Sequence, residues 1–366
     1  MIGLALSGGG SRAIAFHLGC LRALHDVGLL QKVNVLSTIS GGSVIGAYYA
    51  YYPDKSFEEF ETDIRKILEM GFQKKILWEL IKPQNAIPVI AKFSVTRIEE
   101  YWARLRNSQP VLQRYPSRTD IFQKVLEKEI FHGLKINSNR RNNMDVIIGS
   151  CELRTGTAFR FSNKKTGYSR GGELTKNDIH LAFAVTASAA YPLFLPAFDR
   201  TFSFIKKGNK ENKRVILTDG GVYDNLGIQV LEPGRNPKYS IHTFPCKYII
   251  SCNAGHGLLS GKSIPMGFYS RISKTFGIIH KRVQDSAMNR LHHLKEAGII
   301  KGFAMPYLGQ QDKSLPWIPS TLIPREEVID YPTDFATMKK EWIEKLSNRG
   351  EQLTRFLVTY YLKDII

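Results

Sequence analysis

An α/β protein with a mostly parallel sheet is predicted by three features of the first fifty residues. Two short apolar runs each end in glycines, helical apolar spacing follows each run, and no hairpin turn separates them. Residues 2–7 form the first run, a buried strand that enters Gly8-Gly9-Gly10. Ala13, Phe16, Leu21, Leu24 and Val27 then recur at helical spacing, and Gly28 stops that helix. Residues 33–39 are apolar and rich in β-branched side chains, a second strand. Residues 43–52 read as a helix ended by Pro53.

Further along, residues 57–131 are helical in pattern with breaks at Pro83, Pro88, Pro110 and Pro116, so they read as an insertion. Residues 145–152 resume the strand pattern, and 158–162 pair with them as a hairpin. Residues 179–187 are a helix, and 215–218 and 248–253 are strands. Residues 271–297 and 335–361 are helical, and the basic stretch 206–214 reads as a loop. The expected organisation is one unit over residues 1–255, including the insertion, with a mainly helical part over 256–366 packed on it.

With 43% hydrophobic and 23% charged residues over 366 positions, the composition excludes a disordered chain. Fifty-one Lys and Arg against 33 Asp and Glu give a net charge of +18, which favours polyanionic partners. Cys20, Cys151, Cys246 and Cys252 are scattered without a C-x-x-C pair, which argues against a zinc site or a disulfide framework and suits a reducing cytosol. The opening MIGLALSGGG lacks the charged start of a signal peptide. Two uncharged runs approach membrane-spanning length. Residues 33–53 are interrupted by Ser40-Gly41-Gly42-Ser43 and residues 181–198 by Pro192 and Pro196, so neither is expected to span a bilayer.

Three motifs carry chemistry. Gly8-Gly9-Gly10-Ser11-Arg12 lies between a strand and a helix, where glycines aim successive N–H groups at one point and the helix start adds partial positive charge. Such a loop holds a phosphate or an oxyanion. Gly8-x-Gly10-x-x-Ala13 also fits the dinucleotide fingerprint, but the acidic residue that should close the second strand is missing, which leaves a nucleotide- or phosphate-binding protein as the alternative. Ser40, in Thr38-Ile39-Ser40-Gly41-Gly42, follows a strand and precedes a helix as a nucleophile elbow does, with Ser43 as rival nucleophile. Asp219, in Asp219-Gly220-Gly221, ends a strand where open α/β sheets place functional groups. A serine nucleophile needs a base. That base is either Asp219 or a histidine, of which His256 in Asn253-Ala254-Gly255-His256 is the nearest fit.

Taken in order, GGGSR, the Ser-Gly-Gly elbow, ASAAYPLFLPAF and DGGVYDNLG, the chain resembles the patatin-like phospholipase family from Ile2 to about Asn253. The resemblance implies a three-layer α/β/α fold and metal- and cofactor-independent cleavage of phospholipid acyl esters. By it Ser40 is the nucleophile and Asp219 the base of a dyad. Gly8, Gly9 and Gly10 supply oxyanion N–H groups with Gly41 assisting, and Arg12 steadies the loop or meets a phosphate. Thr38 departs from the pattern, standing where the elbow has its first glycine. Some members of the family in bacteria are switched effectors that degrade the host's own membrane on receiving a signal, which implies an activating ligand or partner.

The charge then implies a cytoplasmic protein that docks peripherally on an anionic phospholipid surface. The clusters concerned are Lys206, Lys207, Lys210, Lys213 and Arg214; Arg160, Lys164, Lys165 and Arg170; and the cations of residues 271–297. Nucleic acid is not expected, because no recognition motif accompanies the charge. Phe72, Trp78, Phe93, Tyr101 and Trp102 of the insertion read as core, with a lid or acyl groove as the other reading.

Overall fold

The computed structural model of the chain describes residues 1–237, 240–257, 261 and 264–366. Its strands are β1 (Ile2–Leu6), β2 (Val35–Ile39), β3 (Asp145–Glu152), β4 (Thr157–Ser162), β5 (Gly167–Tyr168), β6 (Gly172–Leu174), β7 (Phe198–Lys206), β8 (Asn209–Asp219), β9 (Tyr248–Cys252) and β10 (Gly302–Ala304). Its helices are α1 (Gly10–Asp26), α2 (Gly41–Tyr51), α3 (Phe57–Met70), α4 (Gln73–Ile81), α5 (Pro83–Leu105), α6 (Arg118–Leu126), α7 (Leu181–Ser188), α8 (Gly221–Asp224), α9 (Phe268–Glu296), α10 (Arg325–Val328) and α11 (Lys340–Tyr361).

One sheet runs in the order β10-β9-β1-β2-β3-β4-β5-β6-β7-β8. Its β10 to β3 half is parallel, and from β3 to β8 every pairing is antiparallel. The parallel strands are apolar on both faces, as a sheet covered on both sides requires. Leu4, Leu6, Leu36, Val146 and Ile250 enter a core built with α1, α2, α7 and α11. Their neighbours Ala5, Val35, Ile147 and Ile249 enter a second core with residues 226–231 and the end of α9. The period of two thus sorts side chains into two layers of cover, the predicted α/β/α arrangement. Across the first layer α1 and α11 cross at backbone contact. A Cβ on Gly19 would lie 1.7 Å from the Ser347 carbonyl oxygen, and one on Gly350 2.2 Å from that of Phe16.

Several expectations change. Residues 206–214 are not a loop: they form the end of β7, a turn at Lys207-Gly208 and the start of β8, a hairpin that leaves Lys206, Lys207 and Lys210 exposed. Pro88 lies inside α5 instead of breaking it, whereas Pro83 starts that helix, where its missing N–H costs nothing. The last helix begins at Lys340, not 335. Among the described residues no helix is long and apolar enough to cross a membrane. Residues 33–53 divide at Ser40 into β2 and α2, and residues 181–198 are divided by the end of α7.

Candidate active site

The sheet itself brings Ser40 and Asp219 together. Both β2 and β8 pair with the same edge of β3, one after the other. β2 arrives parallel and ends with Ile39 opposite Gly149; β8 arrives antiparallel and ends with Asp219 opposite Ser150. The two strands therefore meet head-on over consecutive residues of one neighbour. Small residues allow the junction: a Cβ on Gly149 would lie 2.4 Å from Ile39 Cδ1, and one on Gly220 2.3 Å from the Gly149 carbonyl oxygen. Ser150 ties the junction down by donating its hydroxyl to the Thr218 carbonyl at 2.7 Å.

Ser40 holds φ 51° and ψ −119°, a conformation that L residues seldom adopt and that marks a strained turn. The following helix start is pressed onto the glycine loop. A Cβ on Gly41 would lie 2.2 Å from the Gly10 carbonyl oxygen, and one on Gly42 2.4 Å from that of Leu6. Thr38, the departure from the family motif, is absorbed locally. Its hydroxyl donates to the Ile147 carbonyl at 3.3 Å, and its methyl occupies space left by Gly46 of α2, where a Cβ would approach within 2.5 Å. Ser188, at the end of α7, was not singled out from sequence. It accepts from the Ser40 N–H at 2.9 Å and shares a 2.9 Å hydrogen bond with Ser43. Ser43, the rival nucleophile, is thus a fully buried strut under the elbow.

The glycine loop has φ of 147° at Gly9 and 60° at Gly10, values that call for glycine. The N–H of Gly8 donates to the Asn225 carbonyl at 3.1 Å, so Gly8 forms a wall of the site and the expected third donor is occupied. Among the described residues the N–H groups of Gly9, Gly10 and Gly41 have no acceptor, which leaves them for a developing oxyanion. Arg12 is buried behind the loop. It donates to the carbonyls of Ala254 at 3.0 Å and Tyr331 at 3.1 Å, and also contacts the Nε2 of His256. Burial lowers its pKa to about 10, leaving it protonated at neutral pH. These bonds fit the loop-steadying role rather than a phosphate contact.

Burial pushes the Asp219 carboxyl up to about 7, against the opposing effects of the Gly221 N–H and a hydrogen bond with Ser40. The Gly221 N–H reaches Asp219 Oδ1 at 2.7 Å and fixes the carboxylate. The His256 imidazole is engaged away from Ser40, on Ile329 and Arg12. Its Nδ1 donates to the Ile329 carbonyl at 2.6 Å, and burial together with the Arg12 charge lowers its pKa to about 4.

These groups line a cleft of about 830 Å³. Ile76, Phe122, Phe194, Leu195 and Phe335 give it an apolar wall, and α9 faces them with Lys274, Ile278 and Lys281. Of the five aromatic residues singled out in the insertion, Phe72 alone is core, packed on Phe122 and Phe335; Trp78, Phe93, Tyr101 and Trp102 are exposed and do not line the cleft. The basic clusters are also redistributed. Arg160 is buried, Arg214 is bound to Asp199, and Lys164 and Lys165 pair with Asp145 and Glu173. Cys20 and Cys252, remote in sequence, meet His17 in the core with their ligand atoms within 4.8 Å of one another. Such a trio is one ligand short of a closed structural zinc set.

A family model described as patatin-like phospholipase matches residues 4–231. Over 97% of its length the chain is similar in fold to human GIVD cytosolic phospholipase A2, at 13% identity and a TM-score of 0.53. The same human protein in complex with methyl γ-linolenyl fluorophosphonate inhibitor and terbium chloride gives 14% identity over 100% of the chain, with a TM-score of 0.52. VipD from Legionella pneumophila aligns over 98% of the chain and 67% of its own length, at 15% identity and a TM-score of 0.40. The chain spans about three-fifths of the human chains, 61% and 59%. The ordered motifs, the α/β fold and the family match over more than half of its length agree: the chain belongs to the patatin-like phospholipase family.

Proposed function

We propose that the protein is a lipid acyl hydrolase that cleaves phospholipid acyl esters with a Ser40–Asp219 dyad. The observation that carries this reading is the head-on meeting of β2 and β8 over Gly149 and Ser150, which holds a hydroxyl against a carboxylate poised near neutral pH. Asp219 takes the Ser40 proton as Oγ bonds to the acyl carbonyl carbon. The resulting oxyanion lies against the N–H groups of Gly9, Gly10 and Gly41. The carbonyl re-forms, the ester C–O bond breaks, and Asp219 returns the proton to the departing lysolipid alkoxide. Water then attacks acyl-Ser40 and loses its proton to Asp219. The fatty acid leaves, and the proton goes back to Ser40 Oγ. The apolar wall of the cleft suits the acyl chain, and Lys274 suits the phosphate, whereas Lys281 is paired with Asp285.

The test is fatty acid and lysolipid release from synthetic phospholipid vesicles in the presence of a chelator. Release is expected from the unaltered protein and not from Ser40→Ala or Asp219→Asn. A long-chain fluorophosphonate, whose P–F bond reacts with activated serines, is expected to label Ser40 alone. Full turnover in either variant, or labelling at Ser43, overturns the assignment.

A further inference from the structure

The hairpin of α4 and α5 is built inside out. At about 100° per residue, Asn85, Thr96 and Ala103 share one face of α5 within about 20°. They are the residues of that helix that are buried. Two positions beyond each lie Ile87, Ile98 and Leu105, about 200° around the helix, and these are exposed. Small and polar side chains therefore face the protein while the aliphatic stripe faces outward. Ile90 and Trp102 widen the stripe, and Trp78, 67% exposed on α4, extends it. The inward polar groups are satisfied. Asn85 donates to the Glu79 carbonyl and accepts from Lys124, and Thr96 donates to the Lys92 carbonyl. The helix is thus seated with its polar face down.

An apolar stripe of this kind marks an interaction surface, and its charge identifies the occupant. Residues 73–106 carry seven Lys and Arg against three Glu. Glu79 is paired with Lys82, and Glu100 with Arg97 and Arg114. Lys74, Lys92, Arg104 and Arg106 have no carboxylate within ion-pair range among the described residues. Two cations lie over exposed aromatic rings, Arg97 over Phe93 at 5.5 Å and Arg106 over Trp102 at 5.9 Å. Aromatic rings and long cationic stems beside an aliphatic stripe match the boundary between headgroups and acyl chains. A second copy of this chain would bring two cationic faces together and is disfavoured. The surface is also continuous with the cleft: Gln73 and Ile76 at the start of α4 line it, and so does Phe194, itself exposed.

We propose that the outward face of α4–α5 is the docking surface for an anionic phospholipid bilayer, inserting its aliphatic stripe at the interface so that the cleft mouth meets lipid. This rests on the lipid substrate of the reading above but not on its chemistry. The test therefore uses the full chain bearing Ser40→Ala, which leaves vesicles intact. Its partition onto phosphatidylglycerol–phosphatidylcholine vesicles is compared with that onto phosphatidylcholine alone. Brominated lipids are expected to quench the emission of Trp78 and Trp102. Phe93→Ser, Ile98→Ser and Trp102→Ser together should lower partition at least about tenfold. Arg104→Gln and Arg106→Gln should each cost about fivefold at low salt, on anionic vesicles only. With Ser40 intact, all these variants should hydrolyse a water-soluble ester at the unaltered rate, which separates lost docking from lost folding. Vesicle binding unchanged in the triple variant overturns the proposal. So does a dimer of the parent protein that the triple variant dissolves without altering vesicle binding. If docking behaves as stated while Ser40→Ala still releases fatty acid, the dyad fails and the surface stands.

Discussion

The floor of the cleft and the α4–α5 hairpin follow opposite packing rules. At the floor, backbone meets backbone: Gly41 lies on the Gly10 carbonyl, Gly42 on Leu6 and Gly220 on Gly149, and both reactive side chains are almost fully buried. On the hairpin the apolar face is turned outward and the few buried residues are Asn85, Thr96 and Ala103. A floor that must place a hydroxyl, a carboxylate and two turns within a fraction of an ångström is stiffened by contacts that admit no methyl group. A surface whose second solvent is lipid has no reason to hide its aliphatic side chains. The contrast predicts that floor variants lose chemistry on every substrate, while hairpin variants lose it only on bilayers.

The largest effect is expected at the dyad. Ser40→Ala and Asp219→Asn should each lower fatty acid release and soluble-ester turnover alike, by about 10⁴-fold or more. The double variant should be no worse than either single one, because the two groups act as a unit. Rates measured on both substrates check this. Additive losses would break the picture of one head-on junction.

Next comes Gly41→Ala. Its new methyl would sit 2.2 Å from the Gly10 carbonyl oxygen, so the elbow and the oxyanion loop must separate. Losing an oxyanion donor typically costs about 10²–10³ in rate. That loss is expected in kcat on both substrates, with vesicle binding unchanged. A hairpin variant should show the reverse pattern, and matching patterns would remove the distinction between the two regions.

The pH dependence of Asp219 has a defined sign. The carboxyl must be ionised to accept the Ser40 proton, and its pKa is raised to about 7. Soluble-ester turnover should therefore rise about tenfold per pH unit up to pH 7 and then level off. His256, lowered to about 4, stays neutral through that range and cannot produce the limb. Because the folded-state value is raised, the carboxyl's contribution to stability is fully present below about pH 4 and lost as pH rises through 7. Asp219→Asn keeps an oxygen for the Gly221 N–H and removes the buried charge. It should stabilise the protein at pH 8 by as much as about 4 kcal/mol and not at pH 3. Melting temperatures at the two pH values check it, and equal shifts at both would mean that the charge is not confined.

The floor was legible in the sequence because its devices are local. Three glycines between a strand and a helix, or a serine between β-branched residues and two glycines, can have few other uses. The junction over Ser150 was not legible, since it depends on β8 displacing β2 along β3, a pairing between residues 69 positions apart. Helical patterning marked residues 57–131 as helices but not which way their aromatic side chains point, and the default of apolar-inward failed for Trp78, Phe93, Tyr101 and Trp102. Charge counting failed likewise at Arg160, which the fold buries. His17, Cys20 and Cys252 show the same limit in the core, where spacing gave no sign that a helix and the end of β9 would bring three ligand atoms together.

The smallest effect is expected at Ser188, which touches neither substrate nor reacting atoms and positions the elbow. Its hydroxyl accepts from the Ser40 N–H and meets Ser43, both at 2.9 Å. Ser188→Ala leaves that N–H buried without a partner, at about 1–3 kcal/mol, and frees the strained φ of Ser40 to relax. Turnover of the soluble ester should fall about tenfold in kcat with KM unchanged. Ser188→Thr keeps the hydroxyl and should recover most of the rate if its methyl is accommodated. A merely structural role would lower the melting temperature of Ser188→Ala without touching kcat at low temperature. A kcat that drops while Ser40 still reacts stoichiometrically with a fluorophosphonate would show that the elbow's angle, and not the presence of its hydroxyl, sets the rate.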